Sequence, residues 1–433
     1  MRKTVDIFLP AAQKAVAEAN VNQFFPSTAV KGIYLLQTDD DDIQLDGCVR
    51  LAGCRLASSQ MLRQVASIAK TDYALIITKP TPLTLGDGAL ERMVRVAQDT
   101  DAAMVYADHW EKRKAADGTW TTEKHPAIDY QEGAIRDDFD FGSVLLVRSE
   151  LLHQWGTAAS ATDSNYAALY DLRLFLSRQG QLLHLNELLY TEIEDDLRAS
   201  GEKQFDYVNP ANRDVQIEME QVATNHLREI GALVDTSNYY PIDFDEQDFD
   251  YEASVIIPVF NRAKTIADAV KSALGQKTTF KYNVIVVDNH STDGTDQILK
   301  ELASESLVVL TPERTDLGIG GCWNMAVNDS RCGRFAVQLD SDDLYSSSRT
   351  LQTIVEAFRK QRAAMVVGSY RMCDFELNTL PPGLIAHKEW TDENGPNNAL
   401  RINGLGAPRA FFTPLLREIG LPNTSTVRTM RWA

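Results

Sequence analysis

Short apolar runs alternate with longer amphipathic stretches along the second half of the chain. The runs Ala253–Phe260 and Tyr282–Asp288 are apolar at almost every position, which predicts strands that are buried on both faces. The stretches Ala263–Gln276 and Ser291–Ala303 follow them with helical spacing, and the second opens on a capping pattern. This alternation predicts an α/β fold in which helices cover a mostly parallel, Rossmann-like sheet.

Acidic side chains gather where predicted strands end. Asp288 closes one strand, and the run FAVQLDSDDLY places Asp340, Asp342 and Asp343 directly after another. Ligands of parallel sheets bind beyond the carboxyl ends of the strands. Bare carboxylates would repel a diphosphate, so the pattern favours a hard divalent cation, Mg²⁺ or Mn²⁺, held by Asp340 and Asp342. The alternative is a helix N-terminus that carries acids without binding a metal.

The first half of the chain repeats the plan of the second half. Five segments match in the same order and at similar spacing, which predicts an internal duplication. The matching segments are Val5–Ala11 with Ala253–Val259, Lys31–Asp39 with Tyr282–His290, Thr71–Leu83 with Gly333–Tyr345, Ala89–His109 with Thr350–Tyr370, and Gly142–Gly156 with Gly406–Gly420.

The region between the two copies has a different character. Asn209–Val234 is predicted to form a long polar helix, and Tyr240–Ala253 reads as an acidic, aromatic linker that docks on a surface. We therefore predict an N-terminal domain at residues 1–205, a helix and acidic linker at 206–250, and a second domain at 251–433.

Composition narrows the classes of partner. The chain has 433 residues and a formal net charge of −18, which argues against non-specific binding of nucleic acid. Its five cysteines are odd in number and form no CxxC pair, so we expect a reduced, cytoplasmic protein. No signal peptide and no transmembrane segment are predicted. The acidic run Thr38–Asp42 is expected to be a solvated loop.

Four segments of the second half resemble the family 2 glycosyltransferases, which have the GT-A fold. In order they are VIIPVFNR, IVVDNHSTDGT, GIGGCWNMAV and LDSDD, and the resemblance covers Ala253 to about Gly420. It implies a metal-dependent, inverting transfer of a sugar from a nucleotide-sugar donor to a glycan or lipid-linked acceptor. It also suggests polysaccharide assembly, in the cytoplasm or peripherally at the inner face of a membrane.

The resemblance assigns roles to individual residues. Asp342, the catalytic candidate, would hold the metal against the diphosphate, with Asp340 near the ribose. The donor-binding set would be Pro258, Phe260, Asn261, Arg262, Asp288, Asn289, Asp340 and Ser341. The family's more usual residue at position 289 is Asp, so the base that is recognised stays open. The alternative is a packed Phe and a turn-forming Asp-Asn pair.

A polar segment, Gly383–Arg409, is a candidate for the acceptor side. A Trp ring and amides suit the apolar faces and hydroxyls of sugars, whereas an ordinary surface loop with one anchoring Trp fits equally well. The candidate acceptor-side residues are His387, Trp390, Asn397 and Arg401.

The first copy lacks the acids of the second. Thr78 corresponds to Asp340, Pro80 to Asp342, and Gln37 to Asp288. We therefore predict a degenerate glycosyltransferase-like domain without donor chemistry, which scaffolds the second domain or binds acceptor glycan.

The end of the chain is also unlike the first copy. After Gly420 the sequence soon stops, and STVRTMRWA matches nothing in the first copy. In the family this region carries the general base, so we expect a second domain that is truncated at its C-terminus and lacks that base. A one-base frameshift and a genuine terminus are both open. A non-catalytic carbohydrate- or nucleotide-sugar-binding scaffold is the alternative function, while a sugar nucleotidyltransferase fits the loop after Pro258 poorly.

Overall fold

The described part of the chain falls into two compact units. The structure is a computed structural model that describes residues 3–53, 55–114, 117–158, 163–193, 210–235, 237, 241–391, 393, 395–402 and 409–420. The N-terminal unit comprises residues 1–234 with 388–404, and the C-terminal unit comprises residues 235–387 with 405–433. The predicted domain limits at 205 and 250 stay predictions.

One mixed sheet organises the N-terminal unit. The strand order is β3-β2-β1-β4-β8-β6-β9-β5, and β7 pairs with β6. The first four strands of this order are parallel, and β8 runs antiparallel to both β4 and β6. The strands are β1 (Val5–Pro10), β2 (Val30–Thr38), β3 (Val49–Gly53), β4 (Tyr73–Ile77), β5 (Leu83–Leu85), β6 (Met104–Lys114), β7 (Trp120–His125), β8 (Val144–Arg148) and β9 (Leu182–Ile193).

Helices cover both faces of that sheet because its central strands are apolar on both sides. Ile7 of β1 joins a core under α1 and α3, whereas its neighbour Phe8 joins the opposite core under α2, α4 and α5. A further helix, α6, packs on α5. The helices are α1 (Lys14–Asn22), α2 (Ser59–Ile68), α3 (Ala89–Thr100), α4 (Ser149–Thr157), α5 (Ala168–Gln179) and α6 (Arg213–Glu229).

The C-terminal unit contains a second sheet, of order β12-β11-β10-β13-β17-β14, and a separate hairpin, β15–β16. Four strands are parallel, and β17 runs antiparallel to β13 and β14. The strands are β10 (Ala253–Val259), β11 (Tyr282–Asp288), β12 (Leu307–Leu310), β13 (Phe335–Gln338), β14 (Met365–Val367), β15 (Tyr370–Cys373), β16 (Thr379–Ile385) and β17 (Arg409–Phe412). The helices are α7 (Ile266–Leu274), α8 (Thr295–Glu301), α9 (Ile319–Asn328), α10 (Thr350–Gln361) and α12 (Thr413–Ile419), while the short α11 (Asn398–Arg401) belongs to the N-terminal unit.

Six strands of each sheet share one order and one set of directions. Strand β1 pairs with β4 from Val5 and Tyr73 onward, and β10 pairs with β13 from Ala253 and Phe335 onward. These are the positions that the sequence matched with each other. The α/β fold class is confirmed, whereas descent of the two units from one duplicated domain stays a prediction.

Several predicted elements are confirmed. Strand β11 has the predicted bounds, and β10 ends one residue early, at Val259. The acidic linker is part of the C-terminal core, because Phe244 is buried there and its ring centroid lies 5.3 Å from that of Phe335. Among the helices of the described residues, none has both the length and the apolar character needed to cross a bilayer.

Candidate functional site

Three loops meet at one edge of the C-terminal sheet. Strands β10, β11 and β13 are parallel neighbours, so the residues after Val259, Asp288 and Gln338 emerge on the same side. The predicted donor and metal residues come from these loops, except Pro258, which lies within β10, and Asp288, which is the last residue of β11. The topology therefore brings together residues that are about 80 positions apart in the sequence.

The first two loops are tied together by side-chain hydrogen bonds. Asn261 has a left-handed backbone, with φ of 53°, and its N–H donates to Ser291 Oγ at 2.9 Å. Asn261 Oδ1 accepts a hydrogen bond from the N–H of Thr292 at 2.8 Å, and Thr295 Oγ1 accepts one from the N–H of Arg262 at 3.0 Å. Asn261 therefore shapes the loop, which leaves Phe260 as an exposed ring at the strand end, with 55% of its surface accessible.

Asp288 and Asn289 are held against the loop that leads into α9. Asp288 is buried, and its Oδ1 accepts a hydrogen bond from the N–H of Ser291 at 3.0 Å. Asn289 donates through Nδ2 to the carbonyl of Leu317 at 2.6 Å, whereas its buried Oδ1 has no hydrogen-bond partner among the described residues. Both side chains are fixed before any ligand binds, as a preorganised binding site requires.

The acids after β13 form a second group at this edge. Asp340 Oδ1 accepts a hydrogen bond from Gln338 Nε2 at 2.7 Å, and Gln338 Oε1 accepts one from Arg409 Nε at 2.8 Å. Arg262 Nε lies 3.6 Å from Asp342 Oδ2, and both side chains are about half exposed. Ser341, which lies between Asp340 and Asp342 in the sequence, is buried.

Negative charge accumulates here without an equal number of cations. Asp343 keeps part of its surface exposed, yet desolvation and then the charges of Asp340 and Asp342 raise its pKa to about 6. Burial lowers the pKa of Arg409, although the charge of Asp340 opposes that shift. An additional cation at Asp340 and Asp342 would relieve this repulsion.

The donor set fits Mg²⁺ or Mn²⁺ bound together with a ligand. Within the part of the chain that the structure describes, no group of three or more His, Cys, Asp or Glu side chains could hold a metal alone. Mg²⁺ typically takes one or two carboxylates and completes its coordination with phosphate oxygens and water. Asp340 and Asp342 match that partial set.

The four predicted acceptor-side residues do not form one group. His387 belongs to the C-terminal unit and is half-buried, which lowers its pKa. Trp390, Asn397 and Arg401 belong to the N-terminal unit, where Trp390 Nε1 donates to the carbonyl of Gly395 at 2.7 Å. An acceptor role for His387 and Trp390 stays a prediction.

The structure corrects the prediction for Asn397 and Arg401. Arg401 is completely buried, with Nε 3.2 Å from Glu220 Oε2 and NH1 bonded to Asp137. Asn397 is 8% exposed and donates from both its backbone and its Nδ2 to Glu220 Oε1 at 2.8 Å. These side chains anchor their segment to α6, so their polar groups are not available to a sugar.

Three contributors to the site have no individual role in the sequence prediction. Asp343 is predicted only as a member of the acidic run, and the support of Gln338 by Arg409 leaves no local pattern because the two residues are 71 positions apart. Tyr370 at the start of β15 is half-buried, and burial and then the charge of Asp343 raise its pKa. The sequence signal for Asp343 is its place beside other acids in LDSDD.

The N-terminal unit carries different chemistry at the equivalent edge. Gln37 is buried, donates to the carbonyl of Ile43 at 2.7 Å, and accepts from the N–H of Ile43 at 3.1 Å and from Arg50 Nε at 3.0 Å. Lys79, next to Thr78, lies 2.6 Å from the buried carboxylate of Glu192. The unit's own loop therefore occupies the hydrogen-bonding groups of Gln37.

Comparisons with known proteins place the C-terminal unit in a family. The profile described as "Glycosyl transferase family 2" matches residues 254–417. The chain is 30% identical over 123 residues to the Escherichia coli "UDP-Glc:alpha-D-GlcNAc-diphosphoundecaprenol beta-1,3-glucosyltransferase WfgD", covering 28% of this chain and 47% of that protein. It is 35% identical over 131 residues to the Escherichia coli "Chondroitin synthase", covering 30% of this chain and 19% of that one.

Solved structures also match part of the chain. S. aureus TarS 1-349 in complex with UDP-GlcNAc matches with 24% identity and a TM-score of 0.31, over 39% of this chain and 47% of that chain. The mannosyltransferase PcManGT from Pyrobaculum calidifontis, in complex with GDP-Man and Mn2+, matches with 22% identity and a TM-score of 0.29, over 42% and 52%. The chain thus spans less than half the length of the curated relatives named above. Residues 254–417 of this protein belong to glycosyl transferase family 2.

Proposed function

We propose that the C-terminal unit transfers a sugar from a nucleotide-sugar donor to a hydroxyl of a glycan or lipid-linked acceptor, with Mg²⁺ or Mn²⁺ and with inversion. The observation that carries the proposal is the meeting of the loops after β10, β11 and β13 at one sheet edge. An exposed ring and an acidic pair with one facing arginine lie in those loops, and a buried carboxylate, Asp288, ends β11.

The nucleoside would bind between the first two loops. The exposed ring of Phe260 offers an apolar face to a base, while Asp288 can accept hydrogen bonds from a base or a ribose. Asn261 acts indirectly by holding the left-handed turn that presents Phe260. The buried Asn289 Oδ1 would become accessible to a ligand donor only after a small local shift.

The diphosphate would lie beside the third loop. Asp340 and Asp342 would hold the cation, which when bound stabilises negative charge on the departing diphosphate. Arg262, 3.6 Å from Asp342, would add a guanidinium to the same region and bind phosphate oxygens. The predicted loss of the general base depends on residues 421–433, which lie outside the described residues.

The names of relatives support the class of substrate. One relative is named as a UDP-Glc-dependent glucosyltransferase that acts on a diphosphoundecaprenol-linked sugar, and another as a chondroitin synthase. We therefore infer a role in polysaccharide assembly, with a cytoplasmic location peripheral to the membrane.

A second candidate function concerns the N-terminal unit alone. Gln37 is buried and its amide is hydrogen-bonded to Ile43 and Arg50, so the position is closed to a nucleotide in this arrangement of the loop. This favours a non-catalytic, glycan-binding or scaffolding role for that unit beside a catalytic C-terminal unit.

Calorimetric titration of UDP and GDP, with and without Mn²⁺, tests the proposal. Wild type should bind one nucleotide in a metal-dependent manner, and Asp342→Ala should weaken that binding by about tenfold or more because a metal ligand is lost. Asp296→Ala is the matched control, since Asp296 is an exposed carboxylate on α8 that pairs with Lys300 at 2.8 Å.

Three results would contradict parts of the proposal. Binding that does not depend on Mn²⁺ would refute the role of the cation. Unchanged nucleotide binding by Asp342→Ala would show that the nucleotide binds at another site. If neither nucleotide binds, UDP-sugars and GDP-sugars are refuted as donors. Transfer is then measured with a sugar donor of the nucleotide that binds. Release of nucleoside diphosphate only when acceptor is added would demonstrate transfer and not binding alone.

A further inference from the structure

The hairpin β6–β7 of the N-terminal unit carries a face of lysines and tryptophans. In the antiparallel register Trp110 is opposite Lys124, Lys112 opposite Thr122, and Lys114 opposite Trp120. Directly opposed residues, and residues two apart on a strand, point to the same side of a sheet. The Trp–Lys face therefore consists of Trp110, Lys112, Lys114, Trp120, Thr122 and Lys124.

The charges are segregated between the two sides of this hairpin. The opposite side holds Glu111, Glu123 and Arg113, and Arg113 NH2 lies 2.8 Å from Glu111 Oε2. Among the ion pairs of the described residues, none involves the three lysines of the Trp–Lys face. Within the described residues of the hairpin, this side thus carries lysines and no carboxylates, although the protein has a net charge of −18.

The aromatic rings are available at this surface. Trp120 is 53% exposed on β7, an edge strand that pairs only with β6 within the described part of the sheet. Trp110 is half-buried, and Lys124 Nζ lies 5.8 Å from the centroid of its ring. Lysines on an edge strand can serve simply to prevent aggregation, but an exposed Trp on the same edge works against that purpose.

We propose that the Trp–Lys face binds an anionic glycan chain, in which carboxylate or phosphate groups meet the lysines and sugar rings stack on the tryptophans. Trp110 and the position opposite Trp120 are four residues apart on β6, which corresponds to ~13 Å at ~3.3 Å per residue. Lys112 and Thr122 lie between them. This length exceeds one sugar ring, so the ligand is an oligosaccharide and not a monosaccharide.

A glycan fits this face better than nucleic acid or a membrane. A nucleic-acid backbone or an anionic membrane calls for an extended basic surface, whereas this face offers three lysines. The Thr122 hydroxyl and the two Trp rings can contact the neutral hydroxyls and apolar faces of a sugar chain, while the lysines contact its acidic groups. The choice of a glycan also rests on the proposed function of the C-terminal unit, but the binding site is independent of donor and metal.

Binding of fluorescently labelled oligogalacturonate, a linear oligomer of a uronic acid, tests the inference on the full chain without nucleotide or metal. Wild type should bind it saturably at low salt, more tightly than a neutral malto-oligosaccharide of the same length, and raised NaCl should weaken the binding. Trp120→Ala should weaken binding by about tenfold, because an exposed aromatic anchor is lost. Lys112→Gln with Lys114→Gln should weaken it by about fivefold, since each exposed charge contributes modestly.

The control removes the same charge elsewhere in this unit. Lys14→Gln with Lys31→Gln, at exposed positions of α1 and β2, should leave binding within twofold of wild type. Equal losses in this control, no binding by wild type, or no effect of Trp120→Ala would overturn the inference. Equal or tighter binding of an oligothymidylate of matched length, or binding only to vesicles containing phosphatidylglycerol, would also overturn it. Nucleotide titrations of the same variants should match wild type, so this inference and the proposed transferase can fail separately.

Discussion

Arg401 is the residue at which an acceptor-binding role and a structural role can be distinguished most clearly. Its guanidinium is fully buried and bonds to Asp137, to Glu220, to Gln216 Oε1 at 3.0 Å and to Asn398 Oδ1 at 2.6 Å. Arg401→Met keeps much of the side chain's length and removes the charge. The substitution therefore tests the network without creating a large cavity.

The expected cost follows from what the substitution leaves behind. Glu220 is 3% exposed and Asp137 sits in the same network, so both carboxylates would lose their buried cation. Burial already raises the pKa of Asp137, although Arg401 opposes that shift. Removing one partner of a buried ion pair typically costs about 3–5 kcal/mol. The cost should shrink in acid, where protonation can neutralise the orphaned Asp137, whose pKa is raised by burial.

Hydrogen exchange followed by mass spectrometry measures this cost locally. Peptides from α6 and from residues 395–402 should exchange about two to four orders of magnitude faster in Arg401→Met. Peptides from strands of the C-terminal unit provide an internal reference within each sample.

Arg213→Met is the matched control. Arg213 joins the same helix to the same segment through Glu393 at 2.6 Å, but its side chain is 34% exposed and that of Glu393 is 68% exposed. An exposed pair is worth about 1 kcal/mol or less, so exchange should change by about fivefold at most. Exchange in Arg401→Met within this small range would refute the structural reasoning. Weakened acceptor binding with intact protection would restore the acceptor-side role.

Two further predictions concern pH and packing. Burial, with the charges of Arg178 and Arg173, lowers the pKa of His226 to about 4, and its side chain accepts a hydrogen bond from Arg178 at 2.7 Å. In the unfolded chain His226 binds a proton near pH 6.5, whereas in the folded unit it stays neutral down to about pH 4. The free energy of unfolding of the N-terminal unit should therefore fall by about 3 kcal/mol as the pH decreases from about 6.5 to about 4. Urea unfolding at several pH values should show a flatter pH dependence for His226→Asn, and an unchanged slope would contradict this. A Cβ on Gly333 would lie 2.7 Å from the carbonyl carbon of Ala253, so Gly333→Ala should destabilise the C-terminal unit by about 1–3 kcal/mol. Gly318→Ala, whose Cβ would meet nothing within 4 Å, should melt close to wild type, and equal melting temperatures for both variants would refute the packing argument.

Sequence periodicity was sufficient for the sheet that positions the site. Strand β11 has the predicted bounds because its seven residues are apolar or neutral up to Asp288, and β10 and β13 could be aligned beside it by the same pattern. The helices α7 and α8 start later than predicted, because Arg262–Thr265 form a turn and because the N–H of Thr295 bonds to the side chain of Asp293. Local sequence does not reveal that Asn261 would adopt a left-handed backbone.

Long-range pairs could not be read from the sequence. Arg401 is 264 residues from Asp137 and 181 from Glu220, and neither spacing leaves a local pattern. Its polar segment therefore resembled a sugar-binding loop. Strand β16 was missed for a local reason, since Thr379–Ile385 contains two consecutive prolines, which argue against a strand.

The hydrogen bonds of Gln37 limit what a single substitution could achieve at this position. A change of Gln37 to Asp would place there the acid found at the matched position of the C-terminal unit, but it would also remove the amide that donates to Ile43. The loop that packs Ile43 and Leu45 into the core would still cover the position. A nucleotide could reach the new carboxylate only after that loop had been rebuilt. Engineering donor binding into the N-terminal unit would therefore require a redesigned loop and not a single substitution.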